Sequence, residues 1–590
     1  MNIRAMATRT LESLPSVPTK FTKSLPCDIY TANITETAKT NLMRTPRPVH
    51  NAVYSHVYPE HAPDPQLLAV SKPALQQIGL DEEVTKTEEF VSVFSGNKTL
   101  PDTCPWSLCY AGHQFGFFAG QLGDGRAISL FETINQQGES WEIQLKGAGR
   151  TPYSRFGDGY AVLRSSIREF LMSEHMHALG IPTTRALALI ETSRDVFRED
   201  GPRGSQPETG AIVARMAPSW LRFGNFEIFY SRDDMDNVKR LADYTIEHVV
   251  KDDHHPEVGN QYARLFRTVT EKTAQMVAEW QAIGFNHGVM NTDNMSVLGL
   301  TMDYGPFQIM DYYNPFYVCN HSDEAGRYAF HRQPSAAMFN LVKFSVPLFE
   351  LIGAGEEVDS VVFPDKDNEL KEGVTDEETL ERYRDAGKMF VQTLLNTDFK
   401  NYFMVHLIKK MRSKIGLVGT TTDDSQSDMD DVIIPLLDWM TAYHVDYHRF
   451  YRSLSNYQIT SAGEEADADQ AIQQWLDIVT EESEELATCK ESLKPWLSIY
   501  RHRLLKDKLD HTERKRQMDA VNPRFVLRNS IAEEVIQAFE DEDEEEAKSR
   551  LDACLYACLH PFEQHYEDER IERWISNPIP AKDMRCSCSS

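Results

Sequence analysis

The stretch GHQFGFFAGQLGDGR (residues 112–126) contains five glycines and ends on an arginine. It leads directly into AISLFE (127–132), and WEIQLK (141–146) follows after the turn segment INQQGES (134–140). Apolar and polar residues alternate along WEIQLK, which is the period of a half-buried strand. The sequence therefore predicts an antiparallel strand pair that begins at a glycine-rich loop.

The same loop is a candidate phosphate site. Glycines let backbone N–H groups approach a ligand, although tight hairpin turns use the same residues. Arg126 ends the loop, Lys146 lies on the polar face of the second strand, and Glu169 follows 23 residues later. A strand lysine held by a helix glutamate after a glycine-rich hairpin is the nucleotide clamp of protein kinases. The alternative is a surface ion pair, which contributes little to stability.

Helical periodicity appears twice after the strand pair. From 162 to 179 apolar residues recur at helical spacing, and Gly180 predicts the end of that helix. A second predicted helix runs from 262 to 283 and ends at Gly284. Beyond about residue 335 most segments have helical spacing, so the C-terminal part is predicted to be mainly helical.

The second helix is followed by the segment GFNHGVMNTDNMSVLGLTMDYGP. His287 and Asn294 have the spacing of the His and Asn in the kinase catalytic loop, and Asp303 begins a triplet like the kinase Asp-Phe-Gly. Val289 stands where a kinase has its catalytic aspartate, and the carboxylate appears instead at Asp293. Asp and Asn oxygens suit magnesium on a polyphosphate, and a carboxylate beside them could orient a hydroxyl nucleophile. For either motif alone, turn formation is the alternative.

Two further segments, KGAGRTPYSRFGDG and VARMAPSWLRFGNFE, add charge to this region. Their charged residues include Arg150, Arg155, Asp158, Arg215 and Arg222. A triphosphate needs such local cations in a chain whose 61 Lys and Arg face 90 Asp and Glu, a net charge of −29. Ordinary exposed arginines are the alternative interpretation.

Composition excludes several classes of protein. At 590 residues the chain is too long for one compact core, and its negative charge argues against nucleic-acid binding. Nine cysteines include no CxxC pair, which favours a reducing compartment. No uninterrupted apolar run reaches 18 residues, so no membrane span is predicted.

The N-terminal segment has a composition of its own. The first 27 residues contain four basic side chains and a single acid, Glu12, with scattered Ser and Thr. This composition is typical of a mitochondrial presequence, so we predict mitochondrial localisation with trimming between Phe21 and Pro46. A disordered, incidentally basic tail is the alternative. Folded structure is expected to begin near Pro46.

Several long blocks of the sequence carry a resemblance to a known family. They are YAGHQFGFFAGQLGDGR, QLKGAGRTPYSRFGDGYAVLRSSIREFL, VARMAPSWLRFGNFE, HGVMNTDNMSVLGLTMDYGPF, YVCNHSDEAGRYAF and NPRFVLRN. These blocks closely resemble selenoprotein O, also called the YdiU family, from about residue 46 to the C-terminus.

The resemblance implies an α+β, protein-kinase-like two-lobed fold with a predominantly helical C-terminal extension. Members of the family bind ATP inverted in the cleft and transfer AMP to hydroxyl side chains (Ser, Thr or Tyr) of proteins, releasing pyrophosphate. The implied division is an extension (1–45), a region with the small lobe (46–230), a large lobe (231–350) and a helical region with acidic insertions (351–590).

The resemblance also implies roles for individual residues, with ATP as substrate and Mg²⁺ as cofactor. Asp293 matches the general base, Asn294 and Asp303 match the magnesium ligands, and Glu169 matches the partner of Lys146. The implied nucleotide contacts are Gly123, Gly125, Arg126, Lys146, Asp158, Gly159, Arg215, Arg222 and Asp303.

The last five residues, CSCSS, form a separate candidate site. Animal members of the family carry selenocysteine in this tail, and Cys588 occupies that position. We predict a reversible disulfide between Cys588 and Cys319 that controls activity, because a bond to Cys586 would be strained. The alternative is a frayed end that happens to contain cysteine.

Three classes of function follow. The leading one is a magnesium-dependent protein adenylyltransferase with protein substrates. The second is a protein or small-molecule kinase with the same clamp, which the displaced Asp293 and the surplus arginines disfavour. The third is a catalytically inactive, redox-linked binding protein, which the presence of every matched polar position disfavours.

Overall fold

A computed structural model describes residues 9–16, 19–34, 41–198, 206–251, 257–364, 371–417, 422–460, 464–475, 478, 483–507, 509–541 and 543–576. Within these residues the protein combines antiparallel sheets with many helices. The strands are β1 (Tyr54–His56), β2 (Gln66–Val70), β3 (Trp106–Leu108), β4 (Ala111–Gln114), β5 (Phe117–Gln121), β6 (Ala127–Ile134), β7 (Ser140–Lys146), β8 (Ala161–Val162), β9 (Arg185–Phe197), β10 (Pro207–Ala217), β11 (Phe285–Asn286) and β12 (Gln308–Ile309).

One large sheet dominates the first part of the chain. Its strands have the order β1-β3-β6-β7-β10-β9-β2, and β8 pairs with β10 beside this path. Strands β4 and β5 form a separate hairpin, and β11 pairs with β12. The hairpin lies against the 3-10 turn Thr292–Asn294 that follows β11, near the cleft described below.

Helices make up most of the remaining chain. They are α1 (Lys20–Ser24), α2 (Lys72–Gln77), α3 (Glu88–Phe94), α4 (Leu163–Ala178), α5 (Gly224–Tyr230), α6 (Met235–Tyr244), α7 (Gln261–Ile283), α8 (Gln333–Ser345), α9 (Phe349–Gly353), α10 (Glu377–Leu394), α11 (Lys400–Lys414), α12 (Thr422–Asp428), α13 (Ile434–Ala442), α14 (Tyr447–Leu454), α15 (Glu464–Trp475), α16 (Ser483–Asp507), α17 (His511–Asp519), α18 (Asn529–Asp541), α19 (Glu544–Leu559) and α20 (Glu569–Ser576). From α8 onward the described part of the chain contains helices and no strand, which confirms the helical C-terminal region.

Both helices predicted from periodicity are present, as α4 and α7. Helix α4 is followed by Gly180 at φ 78°. Helix α7 begins at the side-chain cap of Asn260 and ends at Gly284, which also has φ 78°. Trp280 of α7 donates its ring N–H to Thr301 Oγ1 at 2.8 Å. The long helix thereby supports the segment that leads to Asp303.

The predicted strand pair is also present, with one correction. Strands β6 and β7 pair antiparallel, with Ile128 opposite Leu145. The polar face of β7 is not exposed, since Gln144 is 0% and Lys146 is 9% exposed. The expectation of a half-buried strand is therefore wrong, because these polar side chains bind buried charged groups of other elements.

Folded structure begins well before Pro46, so that expectation is wrong too. Leu11 and Leu14 are buried in the apolar core on one side of the large sheet. Phe21 belongs to the main core, where its ring stacks on that of Trp106 at 5.9 Å between centroids. The N-terminal segment completes two apolar cores and is held there by burial.

The helical run Phe330–Gly353 is long and apolar enough to cross a membrane by length and composition alone. Inside the protein, 61% of its most apolar window is buried, and its first part, α8, packs against α7. Because core helices pass the same test, this run is weak support for a membrane span.

Candidate active site

Most of the predicted site residues line one cleft, which has a volume of about 950 Å³. Its walls come from the glycine-rich loop, β7, β10, the loop 153–160 and the segment after α7. The predicted residues in these walls are Gly123, Gly125, Arg126, Lys146, Asp158, Gly159, Arg215, Arg222, Asp293, Asn294 and Asp303. Glu169 reaches Lys146 from helix α4. The structure thus brings together residues that lie up to 180 positions apart in the sequence.

Buried cations and carboxylates meet at the inner end of the cleft. Lys146 Nζ lies 2.5 Å from Glu169 Oε2 and 3.6 Å from Asp303 Oδ1. Arg215 Nη1 donates to Glu169 Oε1 at 2.9 Å and to Asp303 Oδ1 at 2.7 Å. Arg222 Nη1 donates to Asp303 Oδ2 at 2.8 Å. The carboxylate of Asp303 is therefore shared by three cations.

Burial and charge act in opposite directions on these groups. Burial alone would raise the pKa of the Asp303 carboxyl, but Arg215, Arg222 and Lys146 hold it well below its usual value. Burial lowers the pKa of the Lys146 amine, although the neighbouring carboxylates oppose this. Removing one member would leave another charge buried without its partner, which is costly. An entering anion would compete with Asp303 for the same cations.

Arg215 is held by two residues that the sequence patterns did not single out. Its Nε and Nη2 both donate to Gln144 Oε1, at 3.0 and 2.7 Å. The ring of Trp220 lies 4.3 Å from the guanidinium carbon. Gln144 and Lys146 are two residues apart in β7 and therefore lie on the same face of the strand. This period was a sequence signal that both side chains point into one site.

The glycines at the mouth of the cleft allow two loops to pack closely. Gly123 has φ 119°, and a Cβ there would lie 2.8 Å from the carbonyl oxygen of Leu108. Gly159 has φ 80°, and a Cβ there would lie 2.2 Å from the backbone of Gly149. Neighbouring Asp158 pairs with Arg198, which keeps the pKa of the Asp158 carboxyl low although burial opposes this. Packing alone therefore explains these two glycines, and their contact with phosphate stays a prediction.

Asp293 lies in the 3-10 turn Thr292–Asn294, close behind β11. Its Oδ2 accepts a hydrogen bond from Gln114 Nε2 at 3.1 Å, and its buried Oδ1 has no hydrogen-bond partner among the described residues. A Cβ at Gly112 would lie 2.4 Å from that Oδ1. Burial raises the pKa of the Asp293 carboxyl to about 6. Such a carboxyl can accept a proton near neutral pH.

The β4–β5 hairpin makes further contacts with this turn that the sequence patterns missed. His113 Nδ1 lies 2.7 Å from Glu227 Oε1, and Thr292 Oγ1 donates to Glu227 Oε2 at 2.6 Å. Thr292 Oγ1 also accepts from the His113 backbone N–H at 2.7 Å. The hairpin is therefore fixed over the turn that carries Asp293. No local pattern reports such contacts, because the partners lie more than 60 residues apart in the sequence.

Asn294 and Asp303 are the two candidate magnesium ligands. Asn294 Nδ2 donates to the carbonyl oxygen of Val289 at 3.1 Å, which leaves the amide oxygen to bind a cation. No group of three or more His, Cys, Asp or Glu side chains suited to a metal occurs among the described residues. One amide and one carboxylate fit Mg²⁺, which commonly takes one or two protein oxygens together with phosphates and water. The residues present fit a magnesium–nucleotide complex.

Two other predicted residues lie away from the cleft wall. His287 Nε2 lies 2.9 Å from the carbonyl oxygen of Met302 and so supports the backbone before Asp303. Cys319 is 1% exposed, and its Sγ donates to the carbonyl oxygen of Pro306 at 3.0 Å. Cys588 lies outside the described residues, so the disulfide stays a prediction. Because Cys319 is buried, the residues around its Sγ would have to move before a disulfide with Cys588 could form.

Comparison with known proteins identifies the family. Residues 39–555 match the family described as "Protein adenylyltransferase SelO". The chain belongs to this family. The SelO match includes every cleft residue named above and ends before Cys588. The resemblance inferred from the sequence blocks is therefore confirmed.

Three relatives of this SelO-family chain are bacterial proteins. It is 38% identical over 539 residues to "Protein nucleotidyltransferase YdiU" of Myxococcus xanthus, covering 91% of this chain and 96% of the relative. The YdiU protein of Azoarcus sp. is 40% identical over 579 residues, covering 96% and 98%. The YdiU protein of Thiobacillus denitrificans is 39% identical over 544 residues, covering 91% and 96%.

Proposed function

We propose that this SelO-family protein is a protein nucleotidyltransferase that transfers AMP from ATP to a hydroxyl side chain of a protein, releasing pyrophosphate. The observation that carries the proposal is the position of the cations. Lys146, Arg215 and Arg222 are buried at the inner end of the cleft, where they already bind a carboxylate. Such a charged floor suits the outer phosphates of ATP and not a purine base. The α-phosphate would then lie nearer to Asp293.

The cations are oriented before ATP arrives. Arg215 and Arg222 each donate to Asp303, and the β- and γ-phosphates would take over these hydrogen bonds. Glu169 holds Lys146 in the same place, so the amine stays a fixed point charge. Donors that are set in advance stabilise developing charge without reorganisation. They would stabilise the pyrophosphate as it leaves.

Asp293 would act as the general base. The oxygen of the substrate hydroxyl attacks the α-phosphorus, and the bond from that phosphorus to the bridging oxygen of pyrophosphate breaks. The hydroxyl proton passes to the Asp293 carboxylate, and the leaving pyrophosphate keeps the electron pair. Gln114 Nε2 donates to Oδ2 and so fixes the orientation of this carboxylate, whose Oδ1 is buried against Gly112.

Magnesium belongs to the same proposal. The side-chain oxygens of Asn294 and Asp303 would hold Mg²⁺, which supplies charge neutralisation of the polyphosphate. Asp303 becomes available for this role when Arg215 and Arg222 turn to phosphate.

The kinase-like two-lobed arrangement is a further part of the proposal. It is supported by the relative positions of Lys146, Glu169 and Asp303, which are those of the kinase strand lysine, helix glutamate and metal-binding aspartate. The proposed limits are 46–230 for the region with the small lobe, 231–350 for the large lobe and 351–590 for the helical region, with 1–45 before them.

Mitochondrial import and redox control by Cys588 and Cys319 are proposals from the two ends of the sequence. The basic N-terminal composition supports the first, and the cysteine-containing tail supports the second. Neither is required for the transfer reaction described above.

The proposed reaction is tested with ATP labelled on either the α- or the γ-phosphate. The protein is incubated with Mg²⁺, labelled ATP and a protein acceptor, and the label precipitated with protein is counted. We expect the α-label and not the γ-label to be attached, and Asp303→Ala to attach neither. Transfer of the γ-label alone would establish a kinase, and attachment of no label would establish a protein without transfer activity.

A further inference from the structure

The segment NPRFVLRN (522–529) contributes no residue to the described cleft wall, yet its last three residues are buried. The backbone N–H of Leu527 donates to His175 Nε2 of helix α4 at 3.2 Å. Arg528 binds Asp311 and Asp446, and Asn529 contacts Arg168 and Phe307. Three consecutive residues of the helical region therefore contact helix α4 and the segment that follows Asp303.

Asn529 joins two elements that carry site residues. Its Oδ1 accepts a hydrogen bond from Arg168 Nη1 of helix α4 at 3.1 Å. Its Nδ2 lies 3.4 Å from the carbonyl oxygen of Phe307, and Arg168 Nη2 lies 3.4 Å from the same oxygen. The Arg168 guanidinium also stacks over the Phe307 ring at 4.6 Å. One amide thus fastens helix α4 to the segment just after Asp303.

Both fastened residues are close in sequence to charged residues of the cleft. Arg168 precedes Glu169, and successive helix residues point in directions about 100° apart, so one faces Asn529 while the other faces Lys146. Phe307 follows Asp303 by four residues. A shift of α4 against this segment would change the distance between Glu169 and Asp303.

The clamping segment is itself held firmly. Arg528 Nη1 donates to Asp311 Oδ1 at 2.9 Å, and its Nη2 donates to both carboxylate oxygens of Asp446, at 3.0 and 2.8 Å. Such charge-assisted, bidentate contacts define geometry well. His175 Nδ1 lies 3.1 Å from the Cys558 carbonyl oxygen, so both ring nitrogens of this histidine bind the helical region.

We propose that Leu527–Asn529 is a built-in clamp that fixes helix α4 against the Asp303 segment and thereby sets the ATP-binding geometry of Lys146 and Glu169. Asn529 and Arg168 are positioning residues, because they act through α4 and do not line the cleft. Protein kinases control the matching helix by activation-loop phosphorylation, whereas here a segment of the helical C-terminal region supplies the contact. The inference rests on the proposed function, and it gives the helical C-terminal region a role in nucleotide binding.

The test compares Asn529→Ala with a matched control, Asn522→Ala. Asn522 comes from the same segment and is fully buried, but its Nδ2 donates to the carbonyl oxygen of Lys414 at 2.8 Å. Both changes remove one buried amide, so both should lower the unfolding temperature. Three quantities are measured for each full-length variant: affinity for α,β-methylene-ATP, kcat and KM for ATP, and amide hydrogen exchange in 163–178.

Asn529→Ala should weaken binding of the analogue and raise KM for ATP by about tenfold or more, the size expected for a buried hydrogen bond to a charged group. Exchange in α4 should become faster. Asn522→Ala should leave the affinity within about twofold and α4 exchange unchanged. The double variant Arg168→Ala with Asn529→Ala should lose less affinity than the sum of the two single losses, because both changes break the Arg168–Asn529 contact, although Arg168→Ala also removes the contacts with Phe307.

The clamp is refuted if Asn529→Ala leaves both ATP affinity and α4 exchange unchanged, or if Asn522→Ala changes them equally. The proposed transfer reaction fails separately, when the wild type does not attach the α-label. Analogue affinity and α4 exchange do not depend on which phosphorus reacts, so they test the clamp even then.

Discussion

At the scale of single residues, the proposed mechanism makes transfer depend on the protonation state of Asp293. Burial raises the pKa of its carboxyl to about 6, and the hydrogen bond from Gln114 opposes that rise. A general base must be unprotonated, so we expect kcat/KM, which reports the groups of the free enzyme, to fall as the pH drops below about 6 and to level off about a unit above it. Asp293→Ala should lower kcat by roughly 10²- to 10⁴-fold and spare ATP affinity. Wild-type turnover in that variant would remove Asp293 from the mechanism.

Gln114→Ala provides a sharper test of the same carboxyl. The variant loses the hydrogen bond that lowers the pKa of Asp293, so the acidic limb of the kcat/KM profile should move to higher pH. Affinity for ATP should change little, because Gln114 binds Asp293 and none of the three buried cations at the inner end of the cleft. The measurement is kcat/KM against pH for both proteins. Coincident limbs would show that Gln114 does not set the state of the base.

Lys146 is the residue whose loss should affect ATP binding most directly. Lys146→Ala removes a cation from the floor and leaves the buried Glu169 with Arg215 as its remaining ion-pair partner. We expect ATP affinity to fall roughly 10- to 100-fold, as for the loss of one partner of a buried charge pair. Lys86→Ala is the control, because its ion pair with Glu83 is exposed. Equal effects of the two changes on analogue binding would contradict the assignment.

At the scale of elements, sequence signals within an element predicted whether it is a helix or a strand. The sequence carried no signal for the contacts of that element with distant parts of the chain. Periodicity and terminal glycines predicted α4 and α7, and alternation predicted β7, because each signal lies within the element itself. The burial of the polar face of β7 could not be predicted, since Arg215 of β10 and Glu169 of α4 cover it from other parts of the chain. In the same way, motif spacing selected the charged residues of the cleft but missed Gln114 and Gln144, whose partners are distant in sequence.

Helix α4 depends on a neutral histidine, which makes its docking sensitive to pH. Burial lowers the pKa of His175 to about 4, against about 6.5 in an unfolded chain. Between these values the unfolded state binds more protons, so stability is present at neutral pH and is lost as the pH falls from about 6.5 to 4, by up to about 3 kcal/mol. His175→Gln does not titrate, so the difference in Tm between wild type and variant should shrink from pH 7 to pH 4.5. A constant difference would show that His175 does not contribute to acid sensitivity.

At the scale of the whole molecule, the two ends of the chain stabilise the middle. The helical region has its own apolar core around Tyr447, Trp475 and Trp496, and through Arg528 and Asn529 it reaches the segments beside the cleft. The N-terminal segment contributes differently, because its apolar side chains enter the cores on the large sheet. Neither contribution follows from composition, which describes the N-terminal segment only as basic and low in acid.

A chain that starts at Pro46 should therefore be much less stable than one that starts at Arg9. The shorter chain loses the burial of Leu11, Leu14 and Phe21, each of which contributes about 1.5–3 kcal/mol. That sum is comparable with the whole stability of a typical domain, about 5–15 kcal/mol, so we expect poor folding or a Tm lowered by many degrees. The burial of Leu11, Leu14 and Phe21 argues against the trimming between Phe21 and Pro46 that composition predicts. If the protein is imported into mitochondria, N-terminal sequencing of the mature chain should instead find a start before Leu11. A chain from Pro46 with unchanged Tm, or a mature chain that begins between Phe21 and Pro46, would show that the N-terminal segment is dispensable for the fold.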